Sequence, residues 1–254
     1  MPDVDPKTVA KELFWAAFQN SAQFCVAAKR LYVHEDIYDA VRDEMIAYAQ
    51  TVKVGDGSQQ GTDLGPIQNR MQYEKVKDLL ADTRRIGANI VAGGTDLGPI
   101  QNRMQYEKVK DLLADTRRIG ANIVAGGEAG EGPGYFIPVT IVDNPPDDSR
   151  VVTEEAFGPV LPLLKFSDVD DVIARANSTE YGLAASVWSK DTAAALRIAE
   201  RIEAGTVWIN EIHVFGPHIA FGGHKQSGMG VENALDGLAE YTNPQTITVK
   251  EITG

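Results

Sequence analysis

Cysteine is nearly absent from this chain: Cys25 is the one thiol in 254 residues. No internal disulfide can form, which fits a reducing cytoplasm and excludes a disulfide-stapled scaffold. Positive charge is also scarce. Twenty-four Lys and Arg stand against thirty-six Asp and Glu, a net charge of −12, so no basic surface for nucleic acid or an anionic membrane is expected. Long apolar runs are missing, and the opening MPDVDPKT has neither a basic nor an apolar leader segment. The G-x-G-x-x-G phosphate cradle between a strand and a helix is missing too; VGDGSQQG (54–61) has an extra residue and runs into a polar loop. What remains is 43% hydrophobic, ordinary for a globular protein with a sizeable core.

Helical and strand periodicities alternate along the chain. A helix is expected near Pro6 to Phe18, a strand at RLYVH (30–34), and an amphipathic helix from Asp36 to Gln50 with Ile37, Val41, Met45 and Tyr48 on one face. FIPVTIV (136–142) and VLPLLKF (160–166) read as buried strands, and Ser167 opens a helix. SVWS (186–189) reads as a strand, and Asp191 to Ala204 as a helix with a Leu196, Ala199, Ile202 stripe ending at Gly205. TVWIN (206–210), a helix over 232–242 and a last strand TITVKEI (246–252) complete the pattern. This alternation predicts an α/β fold with a mostly parallel sheet flanked by helices.

One segment, TDLGPIQNRMQYEKVKDLLADTRRIGANIVAGG, occurs twice without a change, at 62–94 and 95–127. Each copy reads as one helix and one strand, with Tyr73, Val76, Leu80 and Thr83 on one face of the first helix and Tyr106, Val109, Leu113 and Thr116 on that of the second. A solenoid needs at least three units with polar caps. Two identical copies instead read as a tandem duplication in which one copy fills a slot in the sheet and the other is extruded.

Three segments carry the candidate chemistry. FQNSAQFC (18–25) joins the first helix to the first strand, and its Ser, Asn and Gln favour a turn. A thiol there can be an exposed nucleophile or a packed core residue beside Phe24 and Val26. TEEAFGPV (153–160) sets Glu154 and Glu155 before a Phe-Gly-Pro turn, and HIAFGGHKQSGMG (218–230) is a Gly-rich loop. His213, His218 and His224 lie close in sequence but lack the paired spacing of a metal site, so no metal is expected.

In this order and at these separations, the three segments resemble the catalytic, C-terminal half of the NAD(P)-dependent aldehyde dehydrogenase superfamily. LGPIQN, GYFIPVTI, YGLAASVW and the final EYT extend the resemblance along the chain. It implies that Cys25 is the nucleophile, forming a thiohemiacetal and then a thioester, with its backbone N–H in the oxyanion hole. Glu155 is then expected on the nicotinamide ribose of NAD or NADP and Phe157 against the nicotinamide. Phe24, Val26, Phe215 and Phe221 are expected to form an apolar substrate pocket, with His213 and His218 at its entrance. Gln72 and Lys75, or Gln105 and Lys108, would approach the cofactor.

Ala22 stands where the family has Gly, and a positive φ there would cost about 1 kcal/mol or more. Ala220 replaces the family's Pro, a milder loss of loop rigidity. The resemblance further implies a catalytic domain over 1–242, an oligomerisation strand over 243–254 and no N-terminal cofactor domain. The expected activity is aldehyde oxidation in the cytoplasm by a homo-oligomer once the cofactor half is joined. A cofactor-independent thiol esterase and an inactive oligomerising fragment are the alternatives.

Overall fold

The structure is a computed structural model and describes residues 1–92 and 135–251. Helix α1, Pro6–Phe18, starts where Asp5 accepts a hydrogen bond from the Thr8 amide and Pro6 takes the first helical position, where its missing N–H costs nothing. It buries Val9, Leu13, Phe14, Ala17 and Phe18, a stripe at intervals of three and four. Strand β1, Leu31–His34, runs directly into α2, Glu35–Ala49. Of the apolar face read there, Val41 and Met45 are buried and Ile37 and Tyr48 pack at its margin, while Tyr38 is buried beside them. Tyr38 can be buried because its hydroxyl donates to Asp143 at 2.6 Å and is 2.9 Å from the Leu163 carbonyl.

The first repeat copy supplies α3, Arg70–Arg85, and β2, Asn89–Ala92. Its expected face, Tyr73, Val76, Leu80 and Thr83, is buried. The second copy, with Tyr106, Val109, Leu113 and Thr116, and with Gln105 and Lys108, lies outside the described residues. Strand β3, Thr140–Asp143, the single turn α4, Arg150–Thr153, β4, Val160–Phe166, and α5, Val169–Asn177, follow.

These strands form a sheet of order β1-β4-β3-β2, parallel between β1 and β4 and between β4 and β3, with β2 antiparallel at the edge. Strand β4 lies between two neighbours and has a core on each face. Leu161 and Leu163 pack with α1 and α2, whereas Val160 and Leu164 pack with α3. That two-sided burial is why VLPLLKF is nearly continuous in apolar residues instead of alternating.

Beyond α5 the elements are short. β5, Tyr181–Gly182, β6, Ala184–Val187, α6, Thr192–Ala199, and β7, Thr206–Ile209, are followed by β8, Phe221–Gly222, β9, His224–Lys225, β10, Val231–Glu232, and α7, Ala234–Ala239. β6 and β7 pair in parallel as a separate two-stranded sheet.

Several boundaries differ from the expectations. Asp168, not Ser167, caps α5 by accepting from the Asp171 amide. α6 ends at Ala199, its buried residue is Ala195, and Leu196 is exposed. Gly205 is therefore not the cap of that helix. A side chain there would meet the Gly222 carbonyl, so close backbone approach is what requires glycine. β3 begins at Thr140 instead of Phe136; Pro138, with no N–H, lies between them. SVWS contributes its first two residues to β6, which starts at Ala184. Residues 243–251 of the expected terminal strand are exposed and pair with no strand among the described residues.

Candidate active site

α1 ends into a tight turn, Gln19–Ala22, in which Asn20, Ser21 and Ala22 hold φ of 53°, 55° and 57°. Three consecutive non-glycine residues in the left-handed region are unfavourable on their own, so tertiary contacts must hold them. Ser21 Oγ donates to Gly65 O at 2.7 Å, and Gln23 Oε1 accepts the Gln68 amide at 2.6 Å while its Nε2 reaches Pro66 O at 3.3 Å. The start of the first repeat copy thus clamps the turn. Cys25 follows on the turn, exposed. Of the two readings of its thiol, the exposed one is what the structure shows.

The glutamate segment is braced from the same copy. Gln72 Nε2 donates to the Ala156 carbonyl and, at 2.8 Å, to the Phe157 carbonyl, and Phe157 holds φ of 46°. Gly158 lies so close to Val76 that a Cβ would sit 2.4 Å from its Cγ2. The two glutamates separate. Glu154 pairs with Arg150, which also holds Asp78 at 2.7 Å. Glu155 turns instead to Lys29, 3.7 Å away, with its own side chain 43% exposed.

Lys29 was not singled out from the sequence. Its ammonium also donates to Ala22 O at 3.3 Å and lies 4.8 Å from the centre of the Phe157 ring. Burial lowers its pKa, with Glu155 and then Cys25 acting to raise it and Lys75 adding to the lowering. Cys25, Val26, Lys29 and Glu155 all line one cavity of about 560 Å³, which Leu161, Ile198 and Trp208 also line.

The other expected pocket residues lie apart from that cavity. Phe24 meets the His213 ring edge to face at 4.9 Å, Trp208 meets Phe215 at 5.6 Å, and Phe215 meets Phe221 at 5.2 Å. His213 Nε2 donates to the Val26 carbonyl at 2.8 Å, since a carbonyl partner requires that nitrogen to carry the proton. A file of rings therefore leads from the residue before Cys25 to Phe221. Val26 is buried and belongs to the cavity, whereas Phe215 is exposed. The Gly-rich loop is organised by backbone pairing: β8 with β10 and β9 with β5.

An exposed carboxylate with one ion-pair partner can accept hydroxyl donors, and beside it Phe157 is held in a conformation that residues adopt only under constraint. Glu155 and Phe157 are thus held side by side on the segment that Gln72 and Lys29 brace. Among the described residues no group of three His, Cys, Asp or Glu is arranged to hold a metal ion.

Comparison with known proteins identifies the family. A sequence model of the aldehyde dehydrogenase family matches residues 1–96 and 94–247. The two matches meet at the junction of the repeats, so each contains one copy. A Pseudomonas sp. protein described as a probable aldehyde dehydrogenase is 39% identical over 99% of this chain and 44% of its own length. The phenylacetaldehyde dehydrogenase of Pseudomonas fluorescens is 34% identical over 98% of this chain and 43% of its own. The NAD+ complex of an aldehyde dehydrogenase from Bacillus cereus superposes with a TM-score of 0.79 at 32% identity, over 96% of this chain and 43% of that one. The chain belongs to the aldehyde dehydrogenase family, and it spans less than half the length of these relatives.

Proposed function

We propose that this chain carries the nucleophile and the nicotinamide-ribose contact of an enzyme that oxidises an apolar aldehyde to a carboxylic acid with NAD or NADP. The observation that carries the reading is the exposed Cys25 thiol on a braced turn, joined through Lys29 to the Glu155–Phe157 segment. The Cys25 sulfur forms a bond to the aldehyde carbon, and the carbonyl electron pair moves to the oxygen, where the Cys25 backbone N–H stabilises the developing charge. When bound, NAD(P)+ supplies the hydride acceptor. Glu155 would accept hydrogen bonds from the ribose hydroxyls and Phe157 would help orient the nicotinamide ring; water then cleaves the thioester on Cys25.

Phe24, Val26, Phe215 and Phe221 supply an apolar, aromatic approach that suits medium-chain or aromatic aldehydes, in keeping with the phenylacetaldehyde dehydrogenase relative. The enzyme works in the cytoplasm as a homo-oligomer that engages residues 243–254. No helix among the described residues is long and apolar enough to cross a membrane. The compared proteins are dehydrogenases, which leaves the esterase and inactive-fragment readings without support of their own.

A chimera tests the proposal: this chain replaces the matching segment of the Pseudomonas fluorescens relative, and NADH formation with phenylacetaldehyde is followed. Oxidation is expected, and Cys25→Ser should lower it by at least about a thousandfold. A folded chimera without activity, or activity that survives Cys25→Ser, would overturn the reading.

A further inference from the structure

Lys29 occupies an unusual position. It is four residues after the thiol, its side chain is only 25% exposed, and it touches three things at once. It bonds the carbonyl of Ala22, the last residue of the strained turn. It pairs with Glu155 and lies over the ring of Phe157. The rest of the hydrogen-bonded bracing described above comes from uncharged groups, Ser21, Gln23 and Gln72. Lys29 alone among these groups brings a positive charge to a place where a thiolate must form and a carboxylate already sits. Burying an ammonium is unfavourable unless it is paired and hydrogen-bonded, and Glu155 and the Ala22 carbonyl are the partners here.

We propose that Lys29 is a positioning residue that ties the nucleophile turn to the cofactor segment and shares its charge between Cys25 and Glu155. This rests on the reading of Cys25 as nucleophile. Glu155 pairs with the ammonium and Cys25 lines the same cavity, both favouring its charge, while Lys75 opposes it. Two consequences of opposite sign follow. Removing the Lys29 charge takes a stabilising neighbour from the thiolate and slows its reactions. Neutralising Glu155 frees the ammonium to act on the thiolate alone and speeds them. A residue serving packing alone would not produce that reversal.

Because Cys25 is the one thiol in the chain, alkylation by iodoacetamide followed by intact mass reports on it without ambiguity. The full chain is labelled across neutral and mildly alkaline pH, with circular dichroism checking the fold of each variant. Lys29→Met, which keeps the stem and removes the charge, should slow labelling at neutral pH by about fivefold. Lys29→Arg should restore the rate to within about twofold, and Glu155→Gln should raise it by about twofold or more. Should Lys29→Met fail to fold, Glu155→Gln and Lys29→Arg decide. A folded Lys29→Met that overlays the wild type, or a Glu155→Gln that is unchanged or slower, overturns the role of Lys29 and leaves the nucleophile reading intact. A wild-type thiol no faster than free cysteine overturns both.

Discussion

Residues 1–177 and 178–251 are built from similar sequence patterns but hold together differently. In the first region Phe14, Met45, Ile141, Leu161, Leu163 and Leu164 are fully buried, and two apolar clusters sandwich one sheet. In the second, Ala195 and Trp208 are the buried apolar side chains among the described residues, while Leu235, Leu238, Tyr241, Ile247 and Val249 are exposed. The second region is held by backbone approach at Gly205, by Lys225 on Glu203 and on the Asn177 and Thr179 carbonyls, and by Asp3 reaching across to Ser189 and Asp191. The first region carries its own stability, and the second relies on a few polar and steric contacts. The candidate site follows that division: the nucleophile turn and cofactor segment belong to the first region, and the ring file beyond Phe24 to the second.

The largest expected effect is therefore in the sheet. Leu163→Ala, at a fully buried position hydrogen-bonded to strands on both sides, should cost about 2–5 kcal/mol in urea unfolding. A loss under about 1 kcal/mol would mean the two clusters are not one cooperative unit. Gly205→Ala comes next. Its methyl would sit 1.7 Å from the Gly222 oxygen, and the expected cost, roughly 2 kcal/mol or more, should fall on residues 178–251. Amide exchange should accelerate there and stay slow in β3 and β4; uniform acceleration would erase the distinction between the regions.

Ala22→Gly should have the opposite sign. At φ 57° the methyl is a burden, and its removal should stabilise the chain by about 1 kcal/mol. No gain in the unfolding midpoint would mean the turn carries no strain. The smallest effect is expected at Asp3. Burial pushes this carboxyl up, but the Ser189 hydroxyl and the amides of Asp191 and Lys190 outweigh it, so its pKa is lowered. A lowered acid contributes stability above its unfolded pKa and loses it as pH falls through the folded one. The Asp191 amide should stay protected through about pH 4 and be released only in stronger acid. Release at a higher pH would contradict the tether.

Much of the fold is legible in the sequence where local and tertiary preferences agree. Pro6–Phe18 and Val160–Phe166 have the expected ends, because a cap and proline fix the first and two-sided burial the second. Agreement fails where a partner sets the boundary. β6 starts at Ala184 because it pairs with β7 from Thr206, a register that SVWS does not encode. The motifs point to Cys25, Glu155 and Phe157, the residues to which the proposed roles are given. The constellation around Lys29 could not be anticipated, since nothing local distinguishes this lysine from a solvated one; its three contacts come from residues 22, 155 and 157. Likewise, the sequence noted Ala22 as a departure, but only folding shows that the backbone there is left-handed.

The central claim is that the braced turn presents Cys25 as an acyl-accepting nucleophile, and acyl transfer tests it most directly. The chain is mixed with an activated acetate ester at neutral pH and its intact mass is followed with time. A single acetyl group should appear on Cys25 and be absent from Cys25→Ala under the same conditions. No adduct on the folded wild-type chain, or an equal adduct on Cys25→Ala, would contradict the account.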